Sequence, residues 1–522
     1  LSLYIGKLQT SNNIIDKNKK VEDQEKLRAS IVEEVSGLRN VKLQLSNFIS
    51  QIDHLVDQKE SLLRQSANPT QNNDANVTNS PQNVFKNNNP SSKELMLPPS
   101  IITPQNLPII PFEKNLVLEI IKLNYLSIEV VREKYQYFKD HLLIFWPAIK
   151  LPDAYTVDYL IKNKPLLLIS LIVNCCATSN DIVLYNILSY YLDMNLSHQI
   201  FINGNLSIDI IQSFLVLSIW NPPPKQWGTF KHQLHLLTSL NLNLVVDLGA
   251  KCEQILIESS TSNKSEALYF NDNEIVRLYL MIYSSCGSLG LSLPKFKSVV
   301  WTLNHHLAST YLYDKYIQNN QFEDNDRTDI FIHYLSCFIF IGQDMASKLD
   351  KASGDTFNDP ESLSALINTF EERLLKLMLD YRLTDPSSTS NENPLVGLTY
   401  QQILMTMYDH LIYKNLSSSL IFFINNSFNK PKVENEEYRL YQTSIKVLEK
   451  LIIVCKKLVE TFLLVSDKTL NVPTFFHYRP MNAIVSLIKA KILIKLLIFE
   501  LSYRSLRNSS AVKSKSGLIN DE

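Results

Sequence analysis

"FLVLSIWNPPPKQWGTFKHQLHLLTSLNLNLVVDLG", Phe214 to Gly249, joins an apolar run to three consecutive prolines and then to a second, leucine-rich run. Proline fixes φ and has no backbone N–H, so Pro222, Pro223 and Pro224 stop the helix that ends near Trp220 and hold the chain extended. Upstream, Ile208, Ile210, Ile211, Phe214, Leu215, Val216, Leu217 and Ile219 read as a helix that is apolar almost all round. Downstream, Phe230, Leu234, Leu237, Leu240 and Leu244 recur at helical spacing until Gly249 offers a C-cap. Two core helices meeting at a stiff elbow are the expectation.

The rest of the chain agrees with a helical reading. Only 11 of 522 residues are glycine, too few for architectures that spend glycine on phosphate loops and strand turns, and leucine- and isoleucine-rich runs of helical length dominate from Leu116 onward. Hydrophobic residues make up 45% of the chain, enough for a sizeable core. The 51 lysines and arginines balance 52 acidic residues, so the chain as a whole does not carry the basic excess of a nucleic-acid or membrane surface. The six cysteines are scattered without a C-x-x-C pair, which implies neither a disulfide framework nor a zinc knuckle and fits a reducing compartment. The apolar run from Leu166 stops at Asn174, and the run from Ile484 to Leu501 contains Lys489, Lys491 and Lys495, so neither reads as a membrane span and solubility is expected.

Heptad periodicity is strongest near the start. Ile31, Leu38, Leu45 and Ile52 fall on one seven-residue register, and Val35, Ile49, Val56 and Leu63 on the other. Lys42 and Lys59 interrupt the seam, giving an imperfect coiled coil for which parallel homodimerisation is expected; an amphipathic helix docked on its own domain is the alternative. The asparagine-, serine- and proline-rich stretch that follows has too little apolar surface to offset its ordering entropy. The expected all-α organisation is a linker over 1–26, a coiled-coil dimerisation helix over 27–65, a disordered tether over 66–111, one large irregular helical domain over 112–507 and a disordered tail over 508–522. Within that domain Asp359, Pro360 and Glu361 have the residue types of a helix start.

Catalytic chemistry is not evident. His232 and His235 share a helical face at metal-compatible spacing, but no glutamate or cysteine accompanies them. His305 and His306 are adjacent, which points their rings about 100° apart on a helix. Cys175 and Cys176 lie in "LLLISLIVNCCATSN" and read as small packed hydrophobes. Gly287 and Gly290 permit close backbone approach but lack the lysine and strand of a phosphate loop, so they read as a helix crossing. Lys17, Lys19 and Lys20 form a short basic cluster, either solvated or set against phosphates.

A basic linker, a short coiled coil, a polar tether and a long helical domain with a Trp-proline elbow, an Asp-Leu-Gly element and an Arg-x-Tyr helix follow one another in this chain. That order resembles the fungal zinc-cluster transcription factors. In that family a six-cysteine binuclear zinc cluster and a linker precede a dimerising coiled coil, and a helical regulatory region follows. Trp220, Pro222, Pro223, Pro224, Asp247, Gly249, Arg277 and Tyr279 stand at the corresponding places. The resemblance implies a nuclear, non-enzymatic regulator of RNA polymerase II transcription that acts as a homodimer and controls metabolic or stress genes. Its implied partners are DNA, reached through a zinc cluster expected upstream of Leu1, transcriptional coregulators and a small-molecule effector; no cofactor is expected in this chain, and no membrane. A helical scaffold that never touches DNA is the alternative.

Overall fold

The computed structural model describes residues 107–517, apart from 180, 221–247, 259–265, 294–298, 320–326, 353–356, 385–393, 418–419, 421–435 and 466–470. The fold is all-α: every regular element among the described residues is helical. The expected coiled coil and tether, with the proline elbow and the helix after it, lie outside the described residues. Described residues 107–282 with 471–474 form one compact unit, and 283–465 with 475–517 form another, so the region read as one large domain is described unit by unit.

In the first unit the helix starts are set by short polar side chains. Asn115 caps α1 (Leu116–Lys122), Ser127 caps α2 (Ile128–Tyr137), and Thr156 caps α3 (Val157–Asn163). Each accepts a hydrogen bond from an N–H that has no partner within its own helix. α1 stops at Asn124, whose φ of 58° is the left-handed conformation that asparagine tolerates. There Tyr125 N–H donates to Ile120 C=O and Asn124 N–H to Ile121 C=O, the Schellman pattern.

α4 (Pro165–Thr178) is the hub of this unit: Leu166 to Cys176 are all buried, and α1, α2, α3, α5 (Ile182–Ser197) and α6 (Ile208–Trp220) pack against it. An apolar circumference of this kind suits a helix enclosed on all sides. Asn174, where the apolar run breaks in sequence, does not end the helix; it is buried and donates to Val216 C=O at 3.3 Å.

One expectation is corrected here. Residues 248–258 are helical (α7), so Gly249 stands inside a helix and does not cap the end of one. It lies against another helix: a Cβ at this position would meet the Tyr279 ring at 3.4 Å, an ordinary van der Waals contact.

α8 (Glu266–Ser292) contributes residues to both units. The second unit is completed by α9 (Leu303–Asn319), α10 (Thr328–Lys351), α11 (Pro360–Thr384), α12 (Pro394–His410), α13 (Glu436–Leu464) and α14 (Tyr478–Gly517). α11 begins as its sequence predicts, with Asp359 accepting from the N–H groups of Glu361 and Ser362. The last part of α8 crosses α10 closely, with Gly287 against Ile339 and the hydroxyls of Ser284 and Ser336 2.9 Å apart. α14 continues to Gly517, into the stretch expected to be a disordered tail, because each added helical residue contributes one more backbone bond once the helix is nucleated.

Asn273–Ser292 and Thr328–Lys351 are long and apolar enough to cross a membrane, but 83% and 61% of their apolar windows are buried, as in core helices.

Candidate functional site

Among the described residues a buried cluster of polar and charged side chains lies in the first unit, where α3, α4, α6 and α8 converge. Lys164 ends α3 and immediately precedes Pro165, which opens α4. The proline holds its predecessor out of helical conformation, and Lys164 sits at φ −143° and ψ 59°. Its side chain runs inward. Nζ lies 2.5 Å from Glu274 Oε1 and donates to Gln212 Oε1 at 2.9 Å, and it stands 4.9 Å from the centre of the Tyr155 ring. Gln212 Nε2 donates to the same Glu274 oxygen at 2.7 Å. A lysine, a glutamate and an amide thus satisfy one another in a nearly closed interior, which a buried charge pair requires.

Asp209, one helical turn before Gln212, performs a second task. α4 has no side-chain cap of its own, and Asp209 accepts from Leu166 N–H at 3.2 Å and Leu167 N–H at 2.8 Å. α6 therefore caps α4 across space. Burial pushes the Asp209 carboxyl up to about 6, against the opposing pull of those two N–H donors and Lys164. Burial also raises the Tyr155 hydroxyl, and the negative charge of Glu274 adds to the effect.

Ala148, Ile149, Lys150, Gln212, Glu274, Arg277 and Leu278 line a small cavity beside the cluster. Its volume of about 10 Å³ is the size that one water occupies, too small for a metabolite in this conformation. Its lining holds no serine, cysteine or histidine; the charged groups there are Lys150, Glu274 and Arg277. It is equipped to hold charge and to fix the mutual positions of helices.

The described residues that the sequence marks fall in three places of this unit. Arg277 lines the cavity, while Tyr279, on the same helix, packs against Gly249. Trp220 is elsewhere: its indole N–H donates to Asn471 C=O at 3.0 Å, and its ring meets Phe138 edge-on at 5.2 Å. Pro222, Pro223, Pro224, Asp247, His232, His235, the eight heptad positions and Lys17, Lys19 and Lys20 lie outside the described residues. Local sequence features do not mark Lys164 or Glu274. Asp209 and Gln212 have one signal, a polar pair one turn apart inside the apolar run "IDIIQSFLVLSIW".

The remaining candidates are packed groups. Cys175 and Cys176 are buried, and burial pushes the Cys176 thiol up to about 12, away from thiolate chemistry. His305 is buried and held to about 4 by desolvation, with Nδ1 2.8 Å from Thr302 Oγ1, whereas His306 is exposed. Among the described residues no group of three or more His, Cys, Asp or Glu is placed to hold a metal ion. In the second unit Arg479 is fully buried, with its guanidinium 3.8 Å from the centre of the Phe476 ring and donating to Thr399 Oγ1 at 2.9 Å. No family model, curated protein or solved structure matches this chain.

Proposed function

We propose that this chain is the regulatory and dimerisation portion of a fungal sequence-specific transcription factor of the zinc-cluster type, acting in the nucleus as a homodimer and without catalysis. The observation that carries the reading is the packing of Gly249, in the Asp-Leu-Gly element, against Tyr279, in the Arg-x-Tyr helix. Two motifs that the resemblance pairs by sequence order alone meet at one contact, in the same unit that buries Trp220. In this reading the coiled coil pairs two DNA-binding modules and sets half-site spacing, while the helical region restrains or exposes activation function in response to a metabolite or partner. The Lys164–Glu274 pair suits such a region, because a charge pair held between helices favours one arrangement over others.

The test is the transcript upstream of Leu1, followed by DNA binding of its full-length product. Six closely spaced cysteines there, and selective binding to a short duplex that a zinc chelator abolishes, are the expected results. An upstream sequence without the cysteines, together with a full-length product that ignores DNA, would move the reading to a helical scaffold. Dimerisation is tested separately by sedimentation equilibrium on a peptide of Val21–Gln65. A monomer at tens of micromolar, roughly where a marginal coiled coil associates, would remove that part.

A further inference from the structure

We propose that the outward face of α14 is a docking surface for an acidic amphipathic helix of a partner protein. One side of this helix is core: Ala483, Leu487, Ala490, Ile494 and Leu497 are buried. The opposite side is also apolar. Met481, Val485, Ile488, Ile492 and Leu496 are 55, 50, 50, 55 and 50% exposed. They are spaced four, three, four and four residues apart, which keeps them on one line about 22 Å long. A helix with two apolar sides is expected only where both are covered.

Charge selects the occupant. From Tyr478 to Phe499 the chain has no aspartate or glutamate, while Lys489 borders the stripe on one side and Lys491 and Lys495 border it on the other. Lys489 is answered by Asp409 at 3.7 Å, so the positive charge concentrates on the border of Lys491 and Lys495. Four- and three-residue spacings of this kind keep one apolar line against which another helix can pack, and lysines beside such a line select glutamate or aspartate on that helix. A second copy of α14 would place lysine rows together. A lipid surface fits less well, since the stripe is one helix wide and carries no exposed Trp or Tyr to anchor at headgroups; Phe499, 63% exposed, stands at its far end. The inference does not rest on the transcriptional reading and stands or falls separately from it.

The experiment uses the full chain and a fluorescent helical peptide of about three heptads, with leucine at a and d and glutamate at e and g, beside a twin with lysine at e and g. The acidic peptide is expected to bind at least about tenfold tighter than the basic one by fluorescence anisotropy. Ile488→Glu and Ile492→Glu, both at exposed positions, should each weaken it about tenfold or more with circular dichroism unchanged. Lys491→Glu with Lys495→Glu should reverse the preference between the peptides. Equal binding of the two peptides, no binding of either, or indifference to Ile488→Glu overturns the proposal. So does co-sedimentation with phosphatidylserine vesicles, or a dimer, that Ile488→Glu abolishes, which would give the face to lipid or to a second copy.

Discussion

A Cβ placed on Gly287 would fall inside the contact distance of Ile339 Cγ2, so α8 and α10 approach as closely as they do only because position 287 has no side chain. Gly287→Ala is therefore expected to overpack this crossing and to destabilise the second unit by about 1–3 kcal/mol. Gly397, inside α12, has nothing within 4 Å of its would-be Cβ. Gly397→Ala should instead stabilise by about 0.5–1 kcal/mol through helix propensity. Urea midpoints for the two variants should move in opposite directions; a shared direction would mean that the crossing has room to relax.

The same contrast explains what the sequence reveals. Gly287 reads as a helix crossing because "SSCGSLGLS" combines small residues with helical apolar spacing, both local features. Asp359 and Pro360 are legible for the same reason. Gly249 misleads, because a glycine after an apolar run looks like a terminator, whereas the chain is helical there and the neighbour it meets, Tyr279, comes thirty residues later. The Lys164–Glu274 pair joins residues 110 positions apart, and no local period encodes such a meeting. The capping of α4 by Asp209 is hidden in the same way, since the residue before Pro165 is a lysine with no side-chain cap to offer.

That pair gives the second prediction. Glu274→Gln leaves the Lys164 ammonium buried without its counter-charge and should cost about 3–5 kcal/mol. Lys164→Met combined with Glu274→Leu removes both charges and should cost well under the sum of the single changes. Chemical denaturation of the two singles and the double closes the cycle. Additive losses would mean that the two side chains contribute independently.

The pH dependence should differ between the two units. His305 is held to about 4 by burial, and His333 is lowered by the same cause. A depressed histidine binds fewer protons folded than unfolded, so the stability it contributes is full above the ordinary histidine value and is lost as pH falls from about 6.5 toward 4. Asp209, raised to about 6, has the opposite slope. Its folded form binds more protons than its unfolded form, so its contribution is full below about 4 and is lost as pH rises through 6. Protection factors from hydrogen exchange, corrected for intrinsic rates at pH 5 and pH 7, should fall on acidification around α9 and α10 and rise around α4 and α6. Asp209→Asn should flatten the second trend. A uniform response, or one untouched by that substitution, would mean that other groups govern acid stability.

Trp220 decides whether the region before the prolines is structural or recognitive. It is 3% exposed, its indole N–H is satisfied by Asn471 C=O, and its ring meets Phe138, itself fully buried. Trp220→Ala removes this large contact, leaves a cavity and strands a carbonyl, and should cost about 3–5 kcal/mol, much of a domain's net stability. Trp220→Phe keeps part of the aromatic packing but not the hydrogen bond, and should fall between wild type and the alanine variant. The segment Val21–Gln65 proposed to associate does not include this residue, so thermal melting of the helical region should drop while sedimentation of the full chain keeps whatever oligomeric state the wild type shows. His232→Ala with His235→Ala should change little, since neither histidine is assigned a ligand or a catalytic duty. An unchanged melting curve for Trp220→Ala together with loss of a partner or metabolite would place the indole at a recognition surface, contrary to its burial here.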